Sequence, residues 1–417
     1  MTNGKHSDRR QFLAGVTGAG LATRAVAQQG STQKKLRVGL VGAGGRGSYH
    51  GKTIKQFTEK GDPVELVSVC DIYQPRLERA ETALKVKGYA RMADMLKDPN
   101  LDAVVIATPD RQHVFNMMEA IRAGKDVYCE KPVTHWAQFD KLKELVHENR
   151  KLKRVIQIGT QYVSDSVWER AGEQIRQGAI GKVVHAQACY FRRGDSGEAG
   201  MPIDDPNAKP GVGVDWETAQ ADAPRHEFNV SRLFQWRLYM DYSGGPLTDC
   251  YPHMLTPLVK MLAAGFPKKV VATGGRFFYG GLRDVPDTFD LLIQYPQDLD
   301  IAFLGSFVNY VGFETLVRGS EGVARKTDLA ITLEPLKGVD KPRQELPTDT
   351  PTRGEGHSDL TVAHLKDFLN CVRTRGTPRG DLELAYRVQV PLIMAMQSHL
   401  HNKVALFDAD SETIQLV

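Results

Sequence analysis

A strand that runs straight into glycines narrows the choice of fold more than any other feature of this chain. "LRVGLVGAGGRG" is apolar from Leu36 to Val41 and closes on Gly42-x-Gly44-x-x-Gly47. A polar-faced helical stretch and a second apolar run, Val64 to Asp71, follow. The spacing has a geometric reading: Gly42 permits a tight turn, Gly44 lets backbone approach a pyrophosphate, and Gly47 lets the helix pack closely on the strand. The helix N-terminus then offers free N–H groups and its dipole to the phosphates. Alone, the glycine triplet says little; between a strand and a helix it predicts a dinucleotide-binding βαβ unit. Asp71, at the tip of the second strand, is placed to accept hydrogen bonds from both adenosine ribose hydroxyls. Its charge would repel a 2′-phosphate, so NAD is expected over NADP, with nearby Arg76 complicating the choice.

The same alternation continues through "LDAVVIATPD", a helix from about Gln112 to Ala123, "DVYCEKP" and "RVIQIGTQ". This rhythm predicts a parallel sheet with ligands at the carboxyl ends of its strands. Thr108-Pro109, Glu130-Lys131-Pro132 and Gly159-Thr160-Gln161 all fall at such ends. Beyond about residue 182, "KVVHAQACYFRR", "KKVVATGGRFF", "TFDLLIQY", "DIAFLGSF" and "FETLVRGS" read as longer strands at hairpin spacing, hence a largely antiparallel second sheet. A Gly/Asp/Pro-rich insertion, residues 193–235, has the length and composition of a segment that lines a site. Two amphipathic helices, "HSDLTVAHLKDFLNCVRTR" and "LELAYRVQVPLIMAMQSHL", precede a short tail. With 417 residues, two domains are expected: an α/β Rossmann dinucleotide-binding domain over 36–160 and an α+β domain over 161–417 with an open, mostly antiparallel sheet. The closing helices of the second are candidates to pack back on the first.

The N-terminus reads "SDRRQFLAGVTGAGLATRAVAQQ", with Arg9 and Arg10 ahead of a weakly apolar Gly/Ala-rich run and Ala25-Val26-Ala27. It resembles a twin-arginine export signal over residues 1–27, with a linker at 28–35, and implies the twin-arginine machinery as a partner and a periplasmic destination. No other apolar run approaches membrane-spanning length, so no membrane association is expected after signal removal. The formal charge is +4, from 54 basic and 50 acidic residues. Removing Lys5, Arg9, Arg10, Arg24 and Asp8 with the signal takes away +3, which leaves +1 and no call for a nucleic-acid partner. Cys70, Cys129, Cys189, Cys250 and Cys371 are scattered without a Cys-x-x-Cys pair, so neither a metal site nor a disulfide framework is indicated. Folding in the cytoplasm before export fits that pattern and allows a cofactor to be loaded beforehand.

"GLVGAGGRG", "ATPDRQH", "CEKP", "QIGTQ" and the Asp249-x-x-x-His253 pair of "GGPLTDCYPHMLTPLVKML" occur in one order, and together they resemble the Gfo/Idh/MocA oxidoreductases, the family of glucose-fructose oxidoreductase and inositol dehydrogenase. The resemblance implies a Lys-Asp-His site. Lys131 would bind the reacting oxygen, His253 would remove the hydroxyl proton, and Asp249 would hold a substrate hydroxyl and orient the site. The cofactor-facing set would be Gly42, Ala43, Gly44, Arg46, Gly47, Asp71, Thr108, Pro109, His113, Glu130, Lys131 and Gln161. Trp236, Arg237 and Tyr242 are candidate pocket residues, with structural packing an equal alternative for Trp236 and Tyr242. Two departures from the family pattern stand out: Thr256 where an acid is common, and Asp110-Arg111 after Thr-Pro. Expected on these grounds is an NAD(H)-dependent oxidoreductase acting on a secondary hydroxyl of a sugar, cyclitol or glycoside, with tightly bound cofactor and a homo-oligomeric assembly. Its rivals are an NAD-dependent glycosidase working by transient oxidation and elimination, and a non-catalytic dinucleotide-binding sensor. In "GGPLTDCYPHMLTPLVKML" Pro257 cannot donate to the carbonyl of His253, which predicts a kink or late helix start there. Asp249 and His253 are expected to share one helical face.

Overall fold

The computed structural model describes residues 34–194, 201–349 and 357–417, so the expected export signal lies outside the described residues, as does most of the linker. Six strands, β1 (Leu36–Val41), β2 (Val64–Cys70), β3 (Lys87–Tyr89), β4 (Ala103–Ile106), β5 (Asp126–Glu130) and β6 (Ile156–Gly159), form a parallel sheet in the order β3-β2-β1-β4-β5-β6. Such a sheet is buried on both faces, and β4 shows why its residues are all apolar. Ala103 and Val105 enter one core with the helix Gly45–Glu59, whereas Val104 and Ile106 enter the other with the helix His113–Arg122. The first core is completed from far along the chain: Leu365, Phe368, Leu369 and Val372 of the helix His357–Thr374 pack among β1, β2 and β4 residues.

The second sheet contains β7 (Val183–Phe191), β8 (Lys269–Gly275), β9 (Thr288–Tyr295), β10 (Leu299–Ser306), β11 (Thr315–Gly319), β12 (Gly322–Lys326), β13 (Ala330–Pro335), β14 (Gln344–Pro347), β15 (Ala405–Asp408) and β16 (Thr413–Leu416). Its order is β14-β13-β12-β11-β7-β10-β9-β8-β15-β16, and among the described pairs only β7 with β10 is parallel. The tail after the last helix is not a loose end. It forms the β15–β16 hairpin, which extends the sheet beyond β8. Side chains alternate as the pleat requires. Phe289, Leu291, Ile293 and Tyr295 of β9 are buried against the helices Tyr251–Met261 and Leu382–His401, while Leu292 between them is exposed. Both sheets belong to one compact unit, Lys35–Val417. Among the described residues, no helix is long and apolar enough to cross a membrane, and no group of three or more His, Cys, Asp and Glu could hold a metal ion.

Candidate active site

A cavity of about 910 Å³ runs along the carboxyl edge of the parallel sheet. At one end lie the loop after β1 and Asp71; at the other lie Lys131, Gln161, Trp236, Arg237, Tyr242 and His253. The glycine loop is shaped as its spacing demands. Gly42 has φ 85°, and a Cβ on Gly47 would sit 1.8 Å from the Gly42 carbonyl oxygen, so that pair admits no side chain. Nothing lies within 4 Å of a Cβ at Gly45, and Gly44 caps the helix Gly45–Glu59 with its side toward the cavity. An open backbone cradle at a helix N-terminus, with a carboxylate at the tip of the next strand, fits a dinucleotide. Asp71 accepts from Ala43 N (2.7 Å) and Tyr73 N (2.9 Å). Burial raises its pKa against the pull of Arg76 and these two amides. Ala43, Arg46, Thr108, Pro109 and Glu130 line the same cavity. Glu130 Oε1 accepts from Arg46 Nε (2.7 Å) and contacts His50 Nε2 (2.6 Å). Burial opposes the charge on Glu130, yet Arg46 and His50 hold it well below the usual carboxylate range.

Two residues expected to face the cofactor stand behind this wall. Gly47 is pressed on Gly42, and His113 is buried with Nδ1 2.7 Å from the Pro132 carbonyl and Nε2 2.9 Å from that of Thr108. The imidazole thus ties together the loops after β4 and β5 rather than meeting a ligand.

At the other end, Lys131 follows β5 and donates from Nζ to Asp249 Oδ1 (2.8 Å) and to the Asp249 carbonyl. Arg192 Nη2 and Arg237 Nε each lie 3.2 Å from the same carboxylate. Burial alone would raise the pKa of Asp249; Lys131, Arg237 and Arg192 together override it and hold the group well below its ordinary value. The Asp249 carboxylate is buried and engaged by three cations, and in this arrangement it anchors Lys131. His253 does face the cavity, its ring 5.4 Å from that of Tyr162. Burial and the neighbouring Lys131 charge push its pKa down to about 3, which makes it a neutral imidazole, and its Nδ1 has no hydrogen-bond partner among the described residues.

The segment that carries these two residues breaks earlier than Pro257 suggests. A short helix Pro246–Asp249 ends at Cys250 (φ −119°, ψ −42°), and a new one, Tyr251–Met261, begins with Pro252 in its first turn. Had one helix run through, the Pro252 ring would crowd the carbonyl of Thr248, so Pro252 sets the break and Pro257 is carried inside the second helix. His253 N donates to Cys250 O (3.1 Å). Asp249 and His253 therefore belong to different helices, and the break, not a shared face, brings both to Lys131.

Residues 201–235 of the insertion form a strap over the cavity. Asp215 N donates to Ile72 O (3.1 Å) and Gln74 N to Gly213 O (2.7 Å), while Tyr73 packs with Ala208, Val214 and Phe234. Near the opposite end, Arg111 Nε reaches Asp222 Oδ1 (2.7 Å) and its Nη1 reaches the Asp241 carbonyl (2.7 Å). One of the two departures from the family pattern thus has a local cause: Arg111 is the anchor of this strap. Its neighbour Asp110 is 3% exposed and lines the cavity. Burial, against Arg237 and Lys131, raises its pKa to about 7, and its Oδ2 has no hydrogen-bond partner among the described residues. Trp236 and Tyr242 do both jobs proposed for them, lining the cavity and packing with Leu238 and Tyr239, and Arg237 lies 4.3 Å over the Trp236 ring. Arg192 and Tyr162 left no signal in the sequence; Asp110 left one, as a charged residue directly after Thr-Pro.

Residues 36–160 match the family described as "Oxidoreductase family, NAD-binding Rossmann fold" (GFO_IDH_MocA), and residues 214–325 match the "GFO/IDH/MocA C-terminal domain". Among curated proteins, Inositol 2-dehydrogenase 1 of Saccharopolyspora erythraea is 34% identical over 163 residues, 37% of this chain and 48% of that protein. Trans-1,2-dihydrobenzene-1,2-diol dehydrogenase of Sus scrofa is 25% identical over 296 residues, 70% of this chain and 74% of that protein. The chain spans about half the length of the inositol dehydrogenases it matches. Among solved structures, levoglucosan dehydrogenase in complex with NADH and levoglucosan superposes with a TM-score of 0.67 at 17% identity, over 92% of this chain and 99% of that one. The WlbA dehydrogenase from Bordetella pertussis, in complex with NADH and UDP-GlcNAcA, gives 0.66 at 20% identity, over 90% and 99%. At these identities the likeness is one of fold.

Proposed function

Because the chain belongs to the Gfo/Idh/MocA family of NAD-binding oxidoreductases, we propose that it oxidises a secondary hydroxyl of a sugar, cyclitol or glycoside at the Lys131–His253 end of its cavity. NAD, when bound, supplies the hydride acceptor. Gly44, Gly45 and Asp71 would hold its phosphates and adenosine ribose. Lys131 places an ammonium where the substrate oxygen gains negative charge, and Asp249 fixes that ammonium in place. Neutral His253 receives the hydroxyl proton on its ring. Its resting basicity is low because it is buried and because Lys131 stands beside it; an oxyanion forming against Lys131 cancels the second of these and raises the basicity as the proton moves. The carrying observation is this coupling of a neutral imidazole to an anchored lysine at one end of a dinucleotide-shaped cavity. Replacing Lys131 by Met or His253 by Gln is expected to lower the rate of bound-cofactor reduction at least about a thousandfold, with nucleotide still released on denaturation. Variants that reduce the cofactor at the wild-type rate in stopped flow would sink the assignment.

The sugar or cyclitol class rests on the named relatives, inositol and levoglucosan dehydrogenases. A second reading, glycoside cleavage by transient oxidation and elimination, draws on one observation: Asp110 is a buried acid in the same cavity whose pKa burial raises to about 7. Release of aglycone from aryl glycosides without net NADH formation would select it.

We further propose that the cofactor is tightly held, that the protein works in the periplasm after twin-arginine export, and that it is a homo-oligomer. The strap across the cavity is the basis for the first, and the Arg9-Arg10 leader for the second. For the third, Leu316, Gln187, Ala302, Leu292 and Val271 stand in register across five strands on the open face of the second sheet, where Leu292 is 50% and Val271 40% exposed. Nucleotide lost on dialysis, a fusion retained in the cytoplasm, or a monomer in sedimentation would remove these in turn.

A further inference from the structure

The adenosine end of the cavity carries two arginines on the helix Gln74–Leu84, directly after Asp71. Arg76 is held there by its neighbours: its guanidinium lies 5.8 Å from the Tyr73 ring and 5.6 Å from that of Phe234, and its Nη1 would be 3.6 Å from a Cβ on Gly44. A fixed guanidinium beside the glycine cradle is what a 2′-phosphate would seek, since arginine presents a planar fork of donors to phosphate oxygens. Yet the fork is taken. Asp204, from the strap, accepts from Arg76 Nε (3.1 Å), Arg76 Nη2 (2.8 Å) and Arg79 Nη2 (3.0 Å), all on one carboxylate oxygen.

We propose that Asp204 determines the preference of this protein for NAD over NADP, by occupying Arg76 and Arg79 and adding its own negative charge where a 2′-phosphate would have to sit. The proposal rests on the dinucleotide-dependent reading above. Fold stability is a poor explanation of the cluster, because Arg79 is 61% exposed and Asp204 21%, and pairs open to water contribute little. The strap is secured without it, through Tyr73 packing with Val214 and Phe234 and through the backbone bonds of Gln74 and Asp215. What Asp204 changes is the charge facing the ribose: with Asp71 it sets two carboxylates against two arginines already engaged, where Asp71 alone would leave an excess of positive charge.

The test uses the full chain, freed of nucleotide by reversible unfolding or charcoal and titrated with NAD and with NADP in a calorimeter. Wild type is expected to bind NAD at least about a hundredfold more tightly than NADP. Asp204→Asn should tighten NADP at least about tenfold and leave NAD within about threefold, since one charge-assisted arginine–phosphate contact is worth that much. Adding Arg76→Ala and Arg79→Ala to Asp204→Asn should abolish the gain, and Asp204→Glu should restore the wild-type ratio. An NADP:NAD affinity ratio unchanged in Asp204→Asn, or both affinities falling together as a loosened strap would produce, overturns the proposal while leaving the dinucleotide reading intact. Wild-type protein that binds neither nucleotide removes that reading, and the proposal with it.

Discussion

Two carboxylates, one at each end of the cavity, are surrounded by cations, and they do different work because water reaches them differently. Asp249 and Lys131 have side chains only 9% and 11% exposed, so their pairing fixes protonation states and holds the lysine in one place. Asp204 and Arg79 are 21% and 61% exposed, so theirs shapes the potential seen by an arriving ligand and contributes little to folding. The same pair of functional groups is thus a structural anchor where it is dry and a selectivity filter where it is wet.

Lys131→Met attacks the dry end and carries the largest expected effect. Beyond its loss of turnover, it leaves Asp249 buried without its ammonium partner, at a cost of roughly 3 kcal/mol. Asp249 has a folded-state pKa well below its unfolded value, so its stabilising contribution is present above about pH 4 and is lost as pH falls through the depressed pKa. Without Lys131 that depression shrinks, and the acid unfolding midpoint should move to higher pH. Circular dichroism followed from pH 7 to pH 2 measures it; coincident acid transitions for the two proteins would mean that Asp249 is held without help from Lys131.

Asp110→Asn tests the reverse sign at the same end. Its pKa is raised to about 7, so the folded protein keeps a proton that the unfolded chain releases, and stability is lost as pH rises from about 4 to 7. The asparagine should remove that loss: its advantage in thermal midpoint over wild type grows across this window and is constant above it, reaching about 2 kcal/mol or more. If Asp110 also exchanges a proton during turnover, a limb near pH 7 in kcat/KM disappears in the variant. A midpoint difference that does not vary with pH would show that Asp110 is ionised throughout.

How much of this could be read beforehand follows the range of the interaction. The turn at Gly42, the acid at Asp71 and the lysine after Glu130 are each local consequences of a strand ending, and a strand ending is visible in apolar spacing. The break before His253 was legible in kind but not in place: Pro252 and Pro257 both forbid a continuous helix, and which one yields depends on the carbonyl each ring would meet. Arg192 on Asp249, Arg111 on Asp222 and Arg76 on Asp204 join residues 57, 111 and 128 positions apart. Such pairs leave no periodic trace, since nothing in the sequence around Asp204 reports that an arginine awaits it across the cavity. The strap was recognisable as a long polar insertion, but its purpose depends on partners in the other half of the chain.

The smallest expected effect lies at the wet end and isolates the comparison most cleanly. Arg79→Ala removes the more exposed of the two cations on Asp204 while Arg76 keeps both of its own bonds to that carboxylate. If water screens this pair as its exposure implies, the thermal midpoint should change by the equivalent of less than about 0.5 kcal/mol, and NAD affinity should be unaltered. NADP should bind no better and slightly worse, because Asp204 now carries less compensation and repels a phosphate more. The change should also fade between 0.05 and about 0.5 M salt, since a screened charge acts over roughly a Debye length. A destabilisation of about 2 kcal/mol or more, insensitive to salt, would make Arg79 a packing residue and would place Asp204 with Asp249 as a second anchor, erasing the distinction between the two ends.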